Sequence, residues 1–131
     1  MMDDQDWKAK LTKEQYKVLR KKGTEAPFSG EFLNHADAGI YACVACGNEL
    51  FKSDSKYEST TPGLLGWPSF ADVIDYGAVE LKDDNSAGMH RTEVVCSKCG
   101  GHLGHLFDDQ NSPNGKHYCI NSVCLGFKPH R

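Results

Sequence analysis

Long apolar runs are missing from this 131-residue sequence. None approaches the ~20 residues that cross a bilayer, so no membrane helix is expected. The opening stretch, MMDDQDWKAK, has no apolar centre of the kind a secretory leader carries, which points to a reducing cytoplasm. A basic excess is missing too. The 15 Lys and Arg are outnumbered by 18 Asp and Glu, a balance that counts against nucleic-acid binding. No internal repeat or low-complexity segment occurs, and the length leaves room for a single domain over 1–131. Residues 1–10 are polar and are expected to be irregular.

Helix signals are confined to one place. Thr12 with Gln15 three residues on forms a capping box, Leu11 and Tyr16 flank it as a hydrophobic staple, and Gly23 supplies a stop. This predicts one short helix over about 13–22. After Gly23, glycine and proline punctuate short runs that read as strands: Ile40–Cys43, Glu49–Phe51, Val73–Tyr76, Ala78–Lys82, Arg91–Val95, His102–Phe107 and Lys116–Leu125. Tyr76-Gly77 reads as a tight hairpin turn, and 83–88 and 111–115 read as polar loops. The expected fold is mainly β, antiparallel, with a short N-terminal helix.

The six cysteines carry the most information. Cys43-Val-Ala-Cys46-Gly47 and Cys96-Ser-Lys-Cys99-Gly100 each place two thiolates on a tight turn that one tetrahedral ion can share. Four sulfur ligands close a site against substrate, so the role is structural. The 49 residues between Cys46 and Cys96 exceed the roughly 15–20 of a free-standing zinc ribbon. The metal is therefore expected to clip two distant hairpins of a larger β domain.

Two further groups point to chemistry. His102 and His105 lie three residues apart, close enough to converge on a turn but facing opposite sides on a regular strand. Cys119 sits at the centre of the last strand run, and strand alternation puts His117 and Asn121 on its face. A thiol with polar neighbours is a candidate nucleophile, since the thiolate is the reactive form. An inert core cysteine is the plain alternative.

The segments GWPSF (66–70), RTEVVCSKCGGHLGHLFDD (91–109) and GKHYCINS (115–122) resemble the peptide-methionine (R)-S-oxide reductases, the B-type methionine sulfoxide reductases, in their zinc-containing form. The resemblance runs from about Tyr16 to Phe127. It implies two packed antiparallel sheets and one structural zinc on Cys43, Cys46, Cys96 and Cys99. It implies Cys119 as the catalytic thiol, passing through a sulfenic acid, and Trp67 as the wall for the substrate's methyl group. His102, His105 and Asn121 fall at the polar positions around the reacting sulfur and oxygen, with His105 the expected proton donor. Oxidised proteins carrying methionine (R)-sulfoxide, and the free amino acid, are the implied substrates, with thioredoxin as reductant.

The chain departs from that pattern twice. Many members carry arginine two residues before the catalytic cysteine; here His117 stands there, a substrate-side group that titrates near neutrality. Many carry a resolving cysteine just before the GWPSF glycine; here that residue is Leu65. With four thiols on zinc, Cys124 is the remaining candidate for the resolving role. In one continuous strand Cys119 and Cys124 would lie roughly 16 Å apart, so pairing them needs the segment after Asn121 to turn sharply or unfold locally; the alternative is direct attack of an external thiol such as thioredoxin on the Cys119 sulfenic acid. The competing functions are a zinc-dependent binding module and a metallohydrolase with His102, His105 and a cysteine on a catalytic zinc.

Overall fold

A computed structural model describes residues 4–61, 64–85 and 90–129. Two helices precede nine strands: α1 (Asp4–Lys10), α2 (Lys13–Leu19), β1 (Gly39–Cys43), β2 (Glu49–Lys52), β3 (Lys56–Tyr57), β4 (Ser69–Phe70), β5 (Val79–Asp84), β6 (Arg91–Cys96), β7 (His102–Asp108), β8 (Lys116–Ile120) and β9 (Leu125–Pro129). One sheet has the order β2-β1-β9, the other β3-β4-β8-β7-β6-β5. The paired strands in both run antiparallel. Aromatic rings join the sheets through the core. Phe51 of the first stacks on Phe70 of the second at 4.3 Å between centroids, with Tyr41 and Tyr118 beside them. The expected architecture of two packed antiparallel sheets is the one observed.

The capping box forms as the sequence demands. Gln15 N–H donates to Thr12 Oγ1 at 3.1 Å, and Thr12 N–H donates to Gln15 Oε1 at 2.9 Å. The helix stops earlier than expected, at Leu19, and the left-handed residue that follows is Lys22 rather than Gly23. This bend lets the Gly23 N–H reach back to the Lys17 carbonyl.

Several local expectations fail. Irregular chain was expected over 1–10, yet 4–10 is helical; 1–3 lie outside the described residues. Seven residues hold no helix alone. Here Trp7 is buried, with the Arg20 guanidinium 4.8 Å from its ring centre, and Lys10 Nζ donates to the Ala45 carbonyl. Val73–Tyr76 is not a strand, and Tyr76-Gly77 is not a hairpin. Asp75 accepts a hydrogen bond from Gly77 N–H and starts a single 3-10 turn into β5. β5 then runs on through Asp84, into part of the expected 83–88 loop; 86–89 lie outside the described residues.

Lys116–Leu125 is two strands, not one. β8 ends at Ile120, Ser122–Cys124 form one 3-10 turn, and β9 crosses into the other sheet. That sharp turn after Asn121 is held by buried Glu25, whose Oε1 accepts from Val123 N–H at 3.0 Å.

Candidate active site and metal centre

Each CxxC knuckle closes on a hydrogen bond from a left-handed glycine. Gly47 (φ 81°) donates to the Cys43 carbonyl, and Gly100 (φ 75°) donates to that of Cys96. A residue with a Cβ would be strained at either position. Cys43 ends β1 and Cys96 ends β6, one in each sheet, so the knuckles meet where the sheets come together. The four sulfurs lie within 4.8 Å of one another, with Cys43–Cys99 at 3.8 Å and Cys46–Cys96 at 3.5 Å. A tetrahedral ion with metal–sulfur bonds of ~2.3 Å sets sulfur–sulfur edges of about 3.8 Å. The donor set therefore suits one metal ion in a closed site, and its sulfurs suit zinc.

Cys119 lies elsewhere, in a pocket of about 110 Å³. β8 and its end supply Cys119 and Asn121; β7 supplies Gly104, His105 and Phe107; the flanking segments supply Trp67, Arg91, Thr24 and Leu64. His105 and Cys119 are directly opposed partners in the β7–β8 ladder, so their side chains share one face. Gly104 makes the approach of the strands feasible: a Cβ there would sit 2.0 Å from the Cys119 carbonyl oxygen. His105 Nε2 lies 2.8 Å from Asp84 Oδ2, and Arg91 holds the same carboxylate at 3.4 Å. A carboxylate only accepts, so Nε2 carries the hydrogen and Nδ1 is the nitrogen that can load or release a proton.

Glu25 fixes two other walls through its backbone. Trp67 Nε1–H donates to the Glu25 carbonyl at 3.0 Å, and Glu25 N–H donates to Asn121 Oδ1 at 3.0 Å. Asn121 Nδ2 in turn donates to the Leu103 carbonyl. Burial, reinforced by the negative charge of Glu25, pushes the Cys119 thiol up to about 12. The resting protein thus keeps Cys119 protonated through the neutral range. Alkylation of Cys119 by iodoacetamide should consequently climb about tenfold per pH unit between about pH 7 and 10. A rate that levels off near neutrality would contradict this.

A family description, the SelR domain, matches residues 11–129. The chain belongs to the SelR family. It is 60% identical over 124 residues to a peptide methionine sulfoxide reductase MsrB of Methanosarcina mazei, covering 95% of this chain and 86% of that one. A Leptospira interrogans protein of the same name is 54% identical, over 95% and 92% of the two chains. The mouse mitochondrial methionine-R-sulfoxide reductase B3 is 52% identical over 98% of this chain and 49% of its own.

Within this SelR fold the expected site residues separate. Cys119, His105, Asn121 and Trp67 meet in the pocket. His102 does not line it. Its ring is buried behind His105, 5.3 Å between centroids, with Nδ1 on Glu93 Oε2 at 2.7 Å. Burial, only partly opposed by Glu93, lowers its pKa and leaves it a neutral ring. His117 corrects the sequence reading more sharply. It is fully buried and faces no pocket: Nδ1 binds Asp109 Oδ2 and Nε2 binds Ser69 Oγ, each at 2.8 Å. Both ring nitrogens are committed to core partners, and the ring is not among the residues lining the Cys119 pocket.

Cys124 is fully buried, with its Sγ donating to the His102 carbonyl at 3.3 Å. Among the described residues the one converging ligand cluster is the four-cysteine set, so His102 and His105 do not join a third ligand as the hydrolase reading requires. Asp84, Glu25, Gly104, Phe107, Arg91, Thr24 and Leu64 escaped the sequence reading. Gly104 and Phe107 flank His105 in a motif already singled out, and strand alternation would have placed Phe107 on its face. Arg91 opens the same motif, and the others come from distant loops and a strand end that only the fold brings together.

Proposed function

We infer that this SelR protein reduces methionine (R)-sulfoxide, in polypeptides and as the free amino acid, with Cys119 as nucleophile and thioredoxin as the final reductant. The observation that carries the reading is the directly opposed pair His105 and Cys119 at a pocket walled by Trp67.

The residues divide the work. The Trp67 indole packs the apolar methyl group, and the amide of Asn121, held at both ends, aligns the sulfoxide. Cys119 sulfur attacks the sulfoxide sulfur while the thiol proton passes by way of His105 Nδ1 to the oxygen. The hydroxyl then moves to the Cys119 sulfur and the thioether leaves. Methionine sulfur gains two electrons, Cys119 sulfur loses two, and the proton ends on the sulfenic acid. Asp84 holds the His105 tautomer that makes this relay work. The methyl wall and the proton donor face different groups on a chiral sulfur, so one epimer aligns with Cys119. The four-cysteine cluster, remote from these steps, holds one structural zinc that ties the two sheets together. The six unpaired thiols suit a reducing compartment such as the cytoplasm.

Regeneration needs a second thiol. Cys124 rests against His102, three residues along β7 from the partner of Cys119 and so roughly 10 Å away along the strand. Bonding to Cys119 would require the Ser122–Cys124 turn to unwind and leave the core. Direct attack by an external thiol on the sulfenic acid needs no such opening. Cys124→Ser should accordingly keep its turnover with thioredoxin and with dithiothreitol alike. Loss with thioredoxin alone would assign Cys124 the resolving role.

The reading is tested by incubating the protein with racemic methionine sulfoxide and dithiothreitol, followed by chiral analysis. The R epimer should disappear and the S epimer remain; equal consumption or no consumption would overturn it.

A further inference from the structure

A pocket of about 110 Å³ accepts one side chain and no more. The rest of an oxidised polypeptide must leave over the rim. Trp67, a wall of this pocket, also lines a second cleft of about 390 Å³. Phe28, Leu33, Tyr57 and Leu65 are its large lining side chains besides Trp67. Four large apolar side chains are exposed among the described residues, and two of them, Phe28 at 69% and Leu65 at 41%, face this cleft.

The exposure of Phe28 is built in. Its backbone is left-handed (φ 66°), a conformation that a bulky residue rarely adopts. A hydrogen bond of 2.8 Å from Phe28 N–H to the Gly66 carbonyl fixes it there. Gly66 is left-handed as well (φ 97°), and a Cβ on it would come within 2.6 Å of Pro27 Cβ. The two loops clasp each other with the ring turned to water, beside the indole that walls the reaction pocket. Strained backbone is retained where the surroundings over-determine it, and such places concentrate at ligand clamps. An apolar surface held open beside a reactive thiol is a binding surface.

We propose that the Phe28–Leu65 cleft, which shares Trp67 with the Cys119 pocket, seats the polypeptide flanking an oxidised methionine and takes an apolar side chain next to it. The proposal rests on the reductase reading above and makes the enzyme's preferred substrate a methionine sulfoxide in an apolar stretch of unfolded or exposed chain. Such stretches are core segments in a folded protein, so damaged, partly opened proteins are the class it serves. The shared wall carries the assignment: Trp67 lines both the Cys119 pocket and the cleft that exposed Phe28 and Leu65 line.

The test compares three R-sulfoxide substrates with dithiothreitol as reductant: a pentapeptide with leucine on both sides of the oxidised methionine, the same peptide with glycine there, and N-acetyl-methionine sulfoxide methylamide. The wild type should favour the leucine peptide over the glycine peptide by about tenfold in kcat/KM, the effect of covering one apolar side chain. Phe28→Ser and Leu65→Ser should each erase most of that preference and leave the methylamide unchanged. No preference in the wild type, or a preference intact in both variants, would overturn the proposal. So would variants that slow the methylamide equally, which would make these residues supports for Trp67. A preference that survives while thioredoxin-supported turnover of the methylamide falls would assign the cleft to the reductant instead. If the wild type reduces none of the three, the reductase reading fails, and the proposal with it.

Discussion

Cys119→Ser should lose turnover of the R-sulfoxide by on the order of a thousandfold or more, down to the background, while folding normally. Reducing the sulfoxide takes two electrons from the attacking atom, and sulfur can supply them by becoming a sulfenic acid. A serine oxygen in the same place would have to become a peroxide, which no residue in the pocket can drive. Polarity and proton donors are untouched by the change, so the loss isolates the nucleophile. The side chain is only partly buried, and Ser69 and His105 pair with its strand through backbone bonds, so melting temperature and metal content should stay at wild-type values. Retained turnover in a well-folded variant would remove Cys119 from the chemistry.

Cys96→Ser should release the metal and lower the melting temperature by roughly 10–20 °C, several kcal/mol at the scale of a chain this size. Cys96 ends β6 and Cys43 ends β1, so the cluster is a cross-link between sheets whose strands are far apart in sequence. Without it, three sulfurs within 4.8 Å of one another remain in a half-buried site with no ion to balance them. Metal binding is folding energy in such a place. Zinc content by atomic absorption and a thermal melt read the two effects together. A variant with full zinc and an unchanged melt would show that the four cysteines do not share one ion.

The contrast between these two centres explains what the sequence could disclose. The four clustered cysteines come as two local CxxC-Gly turns whose geometry is set within five residues, and both knuckles form as expected. Cys119, His105 and Asn121 were legible because they sit on two adjacent strands with period-two alternation. His102 and His117 misled for the same reason. Alternation says which face a residue takes, but not whether that face meets a pocket or the core. The answer lay with Glu93, Asp109 and Ser69, all from other elements. The helix 4–10 was invisible because its stability comes from Trp7 packing under Arg20 rather than from local propensity. The break at 121–124 was hidden by a run of good strand formers; it is imposed by Glu25, nearly a hundred residues away in sequence.

The central claim is that the oxygen leaves methionine for the sulfur of Cys119. A single turnover of methionine (R)-sulfoxide carrying heavy-isotope oxygen, run without any reductant and read by peptide mass spectrometry, tests it directly. The labelled oxygen should appear on the peptide containing Cys119, in one equivalent matching the methionine formed. Methionine formed with the label found on another cysteine, or with no protein-bound label and no Cys119 disulfide, would contradict the account.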